Sequence, residues 1–156
     1  MSENLIKALL GMHSGWRYII LILLIAAIVY ARQTASGKRP FAGATKKLGM
    51  FTMIAIDIQL LLGILLYYNF MQVTTHFNLG TFKHQFSADS FRNIAVDHLV
   101  GMLLAIICIH VGYAKAKKQE NPLAAGKKLF GWYLFGLILI LVSIPWPFLH
   151  PGRGWF

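Results

Sequence analysis

Acidic residues are scarce, five in 156 positions, and charged residues of both signs make up only 13% of the chain. A soluble domain carries roughly a quarter, so a surface wetted on all sides is excluded. Cysteine is scarcer still. Cys108 stands alone inside an apolar run, which excludes an intrachain disulfide and a CxxC redox pair. Also missing are a phosphate-cradling glycine loop and a hydrolase nucleophile motif. His76, His84 and His150 have no zinc-type spacing, so no metal site is expected among them.

What remains is hydrocarbon. Hydrophobic residues make up 57%, and several runs approach the roughly 20 residues needed to cross a bilayer. The pattern predicts an all-α membrane protein, a single four-helix transmembrane bundle spanning residues 1–156. Its spans are expected at about 5–31, 48–71, 93–116 and 129–147. Leu5 to Leu10 are either the outer turns of the first span or a short interfacial helix, with Gly11 and Gly15 as breaks. Pro145 and Pro147 end or kink the last span, and the aromatic tail after it suits an interfacial anchor. The run Tyr18–Tyr30, followed by Thr34, Ala35 and Ser36, also invites a signal-peptide reading. The long segment before it carries only Lys7 and Arg17 as basic residues, so a retained span is expected.

The formal charge of +10 does not point to nucleic acid, because its distribution is topological. Ten of the fifteen basic residues fall between Arg32 and Lys47 or between Lys115 and Lys128. The positive-inside rule puts those two short loops in the cytoplasm and both termini outside, in a bacterial inner membrane the periplasm. A faint repeat runs alongside. Tyr30-Ala31-Arg32 matches Tyr113-Ala114-Lys115, and Lys46-Lys47-Leu48 matches Lys127-Lys128-Leu129. Either two repeated hairpins are related by an axis along the membrane normal, or tyrosine and lysine simply recur at cytoplasmic boundaries.

Ionisable groups inside apolar spans are costly and mark candidate sites. His13 lies 19 residues before Arg32, and His98 lies 19 before Lys117, so both sit roughly 28 Å above the basic edge on helices of one direction. Two readings are open. In one, His13 and His98 are axial ligands of a single b-type haem, with Gly101 and other small residues leaving room for a flat ligand or for another helix. In the other, His13 caps a helix or bonds at the interface while His98 partners Asp97. Arg17 pairs with Asp97, holds a haem propionate or snorkels outward; Arg92 is a second propionate candidate. Asp57 is about 15 Å into the span and His110 about 10 Å in from the same side. They are expected to form a buried polar pair, a structural hydrogen bond by default, with a proton-carrying or quinone-facing role as the alternative. His98 and His110 stand about 120° apart around their helix and are not expected to share a site.

The motifs His13-Ser14-Gly15-Trp16-Arg17-Tyr18, Gln59-Leu60-Leu61-Leu62-Gly63 leading to Tyr67, and Asp97-His98 give the chain a family likeness. It resembles the small four-helix inner-membrane proteins of Bacteroidota labelled cytochrome B, along nearly its whole length. The resemblance implies a membrane-embedded b-type cytochrome or a related respiratory-chain component. Relatives tend to show Glu-His where this chain has Asp97-His98, and His-x-Gln where it has Asp57-Ile58-Gln59. The second change removes a histidine and argues against a second haem. The expectation is thus an electron carrier or accessory subunit rather than a stand-alone enzyme, with haem b, quinone, respiratory-complex subunits or a second copy as candidate partners. A haem-free structural subunit, or a small transport or signalling module, is the alternative.

Overall fold

In the computed structural model, which describes residues 2–76, 78–86 and 92–146, the chain is almost entirely helical. Helix α1 spans Glu3–Ala35 and α2 Gly43–Thr75, followed by a short α3, Leu79–Phe86. A π-helical segment, Asn93–His98, runs directly into α4, Leu99–Lys117, and α5 spans Pro122–Ser143. Four of these stretches, Glu3–Ala35, Gly43–Thr75, Ile94–Lys117 and Pro122–Ser143, are long and apolar enough to cross a bilayer. The protein is a multi-pass, four-helix membrane bundle. Asp89, Pro147, His150 and the aromatic tail lie outside the described residues.

The helix ends differ from the sequence expectation because hydrogen bonding does not stop where hydrophobicity does. Ser2 caps α1 by accepting from the Leu5 N–H, and Lys7 pairs with Glu3 one turn on at 2.6 Å. The helix then continues through Gly11 and Gly15 without a break. It ends where Gly37 takes a left-handed φ of 76° and the Lys38 N–H reaches back to the Gln33 carbonyl at 2.9 Å, a glycine-terminated cap. With 33 residues each, α1 and α2 are about 50 Å long and outrun a hydrocarbon core of about 30 Å. Their extra turns carry Arg32, Lys46 and Lys47. The fourth span begins at Pro122, not near 129, and ends at Ser143, not 147. Asn121 caps it, accepting from the Leu123 N–H at 2.9 Å, and Pro122 occupies the first turn, where its missing N–H costs nothing.

Around the bundle, α1 packs broadly against both α2 and α5, and α4 packs broadly against α5. The α2–α4 seam is thin, and α1 and α4 stand diagonally opposed. The tightest packing lies toward the basic loops. Leu24, Ala27, Ala31, Ile109, Ala116, Leu129 and Tyr133 are buried there, and a Cβ on Gly126 would meet the Ala35 backbone nitrogen at 2.4 Å. The Tyr133 hydroxyl donates to the Gly49 carbonyl at 2.8 Å, and Thr34 and Thr45 share a hydrogen bond at 3.2 Å. The bundle thus consists of two helical hairpins, α1–α2 and α4–α5, but the matched tyrosines do different work. Tyr113 packs its ring on Gly49, whereas Tyr30 lies under the Arg39 guanidinium.

Candidate functional site

The loose end of the bundle, opposite the basic loops, holds the candidate site. His13 from α1 and His98 from the last π-helical position approach each other across the diagonal. Their ring centroids are 6.3 Å apart and their planes are inclined at 72°. A π segment is rare and recurs at functional sites; this one delivers Asp97 and His98 into α4.

The environment of each ring follows from local backbone chemistry. His98 Nδ1 lies 2.9 Å from the Ser143 carbonyl. A carbonyl only accepts, so Nδ1 carries the hydrogen, which in the neutral ring leaves Nε2 as the bare nitrogen. Ser143 offers its oxygen because α5 ends there: Ile144 is extended, so no N–H four residues on can return to that carbonyl. The same rule holds two residues earlier. Pro145 cannot serve the Leu141 carbonyl, which accepts instead from the Trp146 indole at 2.8 Å. Sequence reasoning took the prolines as a stop signal and missed this consequence, although the i+4 spacing contains it.

The His13 ring lies against Gly63 of α2, where an added Cβ would come within 3.3 Å of Cε1. Next to it, Gln59 donates through Nε2 to the His13 carbonyl at 2.8 Å, and the Trp16 indole donates to the Ala55 carbonyl at 2.8 Å. These two bonds lock α1 to α2 beside the histidine. His13 Nδ1 and Gln59 Oε1 are both buried with no hydrogen-bond partner among the described residues. Buried polar atoms are almost always satisfied, so these two orphans on contacting residues mark a polar position within the bundle. Further out, the Tyr67 hydroxyl donates to the Ala95 carbonyl at 3.3 Å, completing the stripe that Gln59, Gly63 and Tyr67 form on α2.

The other expected site residues divide. Arg17 does not reach toward Asp97. Its Nη2 donates to the Tyr18 hydroxyl at 3.1 Å, and its guanidinium lies over the rings of Tyr18 and Trp146 at 4.8 and 5.6 Å. Arg92 is exposed immediately before the π segment. Gly101 offers no opening for a flat ligand, because a Cβ there would collide with the Ser143 side chain at 1.8 Å. The small residue serves helix packing, letting α5 close on α4 so that the Ser143 carbonyl reaches His98.

Asp57 and His110 are brought together as a pair, with His110 Nε2 3.2 Å from Asp57 Oδ1. The expectation of a buried pair is corrected. The side chains are 36% exposed for His110 and 50% for Asp57, because the pair bridges the thin α2–α4 seam instead of the core. No cluster of three or more His, Cys, Asp or Glu side chains occurs among the described residues. Comparison with known proteins finds no matching family model, no matching curated protein and no matching solved structure.

Proposed function

We propose that this protein is a membrane-embedded b-type cytochrome, an electron carrier that holds one haem between His13 and His98 near the periplasmic face of a bacterial inner membrane. The observation that carries this is the pair of imidazoles from α1 and the π segment, in an edge-type arrangement with a 6.3 Å centroid spacing. A coordinating imidazole nitrogen sits about 2 Å from its metal and about 1 Å from its own ring centre, so two axial imidazoles put their centroids about 6 Å apart. Rings inclined at 72° are compatible, since each ligand turns about its own bond to the iron.

The surrounding groups support the same reading. The Ser143 carbonyl at Nδ1 of His98 is the outer hydrogen bond that metal-ligating histidines commonly have, fixing the ring and raising its basicity. Gly63 lets the His13 ring pack directly on the α2 backbone, which fixes the ring's position. Arg17, one turn from His13, and Arg92, six residues before His98, are the cations that would hold the propionates. A bound haem would supply a one-electron redox centre, tuned by axial ligand and burial. The chain's own part is to orient both imidazoles, shield them from water and leave the outer face within reach of a redox partner. That partner is a respiratory-complex subunit, a second copy or a lipid-soluble quinone.

A haem-free accessory subunit is the second reading, favoured by the filled space beside Gly101. The absorption spectrum of protein purified with haem supplied separates the two. The cytochrome reading expects a six-coordinate spectrum that turns five-coordinate or disappears in His13→Ala and in His98→Ala, and stays nearly unchanged in His110→Ala. Colourless wild-type protein would leave the accessory subunit standing.

A further inference from the structure

Trp132 and the lysines around it take no part in the haem reading, yet they form a hollow at the basic-loop end of α4 and α5. Gly112 lets α4 receive the indole against its backbone, since a Cβ there would come within 2.4 Å of Trp132 Cβ. Lys115, three residues further along α4, holds its ammonium over that ring, 5.0 Å from the centroid, a cation–π contact. On α5, Lys127, Lys128, Gly131, Trp132 and Phe135 line a cavity of about 420 Å³, within the roughly 300–1,000 Å³ of small-molecule sites. Gly131 makes the hollow, with nothing inside 4 Å of its would-be Cβ. Lys127 and Lys128 stand in the second turn of α5, at the polar boundary of the span. Phe135, 53% exposed, lies about 10 Å deeper along the same face.

Every polar group around this hollow is a donor. Lys115, Lys127 and Lys128 have no carboxylate partner among the described residues. The indoles of Trp16 and Trp146 donate to backbone carbonyls, whereas the Trp132 N–H has no acceptor among the described residues. Three ammonium groups and an unmatched indole N–H ask for an anion rich in acceptor oxygens. The apolar floor beneath them asks for a hydrocarbon chain. We infer that this hollow binds one anionic glycerophospholipid, its phosphate among the lysines and an acyl chain laid over Gly131 and Phe135. Basic pockets at the ends of membrane helices are suited to such headgroups. A zwitterionic headgroup fits worse, because no carboxylate stands here to receive its cation. A second copy fits worse too, since a two-fold contact through this face sets lysines against lysines. An acidic peptide reaching Phe135 would carry unsatisfied backbone groups into hydrocarbon. The inference is independent of the cytochrome reading.

The test uses phosphatidylcholine nanodiscs that hold the full chain and increasing amounts of phosphatidylglycerol brominated on its acyl chains. Trp132→Phe supplies the baseline for the other tryptophans, so the quenching read is that of Trp132. Half-quenching is expected at a mole fraction at least about fivefold below that needed with brominated phosphatidylcholine, the effect of one lysine on an anionic headgroup. Lys127→Gln with Lys128→Gln should erase the preference. Lys46→Gln with Lys47→Gln, the same charge loss on α2, should keep it. Gly131→Leu fills the hollow with every charge in place and should raise the half-quenching fraction several fold. The comparison of the two lipids stands in the wild-type chain even if the variants fail to fold. Equal half-quenching by the two lipids, or an unchanged curve for Gly131→Leu, would overturn the proposal. So would loss of the preference in the Lys46 and Lys47 variant, which would make the attraction diffuse. Relief of quenching by inorganic phosphate as readily as by unbrominated phosphatidylglycerol would make this a free-anion site instead. A dimer whose Trp132 neither lipid quenches would give the hollow to a second copy.

Discussion

At the scale of single residues, the tautomer of His98 is set by a backbone carbonyl, and that carbonyl is available because α5 ends at Ser143. A side chain on α4 thereby depends on the way α5 ends. The Asp57–His110 contact shows the opposite economy, one polar side-chain contact across a seam where α2 and α4 otherwise meet sparingly. Polar contacts of this kind in membrane bundles are worth about 0.6 to 2 kcal/mol. Asp57→Leu should lose that amount in a denaturant-micelle unfolding titration, and Asp57→Asn should lose less, since the amide still reaches Nε2. Equal losses for the two would mean that the hydrogen bond adds nothing to the seam. Helical rise was enough to bring Asp57 and His110 to neighbouring depths and to level His13 with His98. Rise cannot say which side of the bundle a residue faces, and so the exposure of the Asp57 pair was not legible.

Among the elements, the α1–α5 crossing is the most demanding. Gly126 lets α5 approach so closely that a methyl group would sit 2.4 Å from the Ala35 nitrogen and 2.7 Å from the Thr34 carbonyl carbon. Backbone on the far side cannot swing away as a side chain could. Gly126→Ala is therefore expected to destabilise the bundle by about 1–3 kcal/mol, the usual cost of overpacking. Gly131, one and a half turns along the same helix, has nothing within 4 Å of its would-be Cβ. Gly131→Ala should leave stability unchanged or raise it by up to about 1 kcal/mol through helix propensity. The unfolding midpoints of the two variants, compared in one micelle composition, check both. From the sequence the two glycines look alike. What separates them is the position of α1, which no local pattern encodes.

For the whole molecule, an even number of crossings places residue 2 and the end of α5 on one side, with both basic loops on the other. Ten of fifteen basic residues lie on the loop side, and the positive-inside rule predicts those loops in the cytoplasm. Tags at either end should then both be reached by a membrane-impermeant label applied from the side opposite the basic loops. A label that reaches only one end would require an odd number of crossings, and labelling of neither would invert the bundle. The uneven packing has a consequence at this scale as well. The bundle is tight near the basic loops and open along α2–α4, so hydrogen exchange should be slowest around Leu129 and Tyr133.

Hydrophobic run length and the two clusters of lysine and arginine determine, without any coordinates, a four-crossing helical membrane protein. Both properties are sums over local residues, and the bilayer imposes one answer on them. Equal spacing from the basic edges likewise brings His13 and His98 to one depth, because helical rise is constant. The tertiary structure alone decides that α1 and α4 are diagonal and that the two imidazoles meet across that diagonal with centroids 6.3 Å apart. It alone decides that Gly101 is filled by Ser143, and that Asp57 and His110 face outward at a seam. Those outcomes depend on how four helices rotate about their own axes as they pack, a choice made by close contacts such as Gly126 on Ala35. The 3.6-residue period leaves that rotation undetermined where every face is apolar.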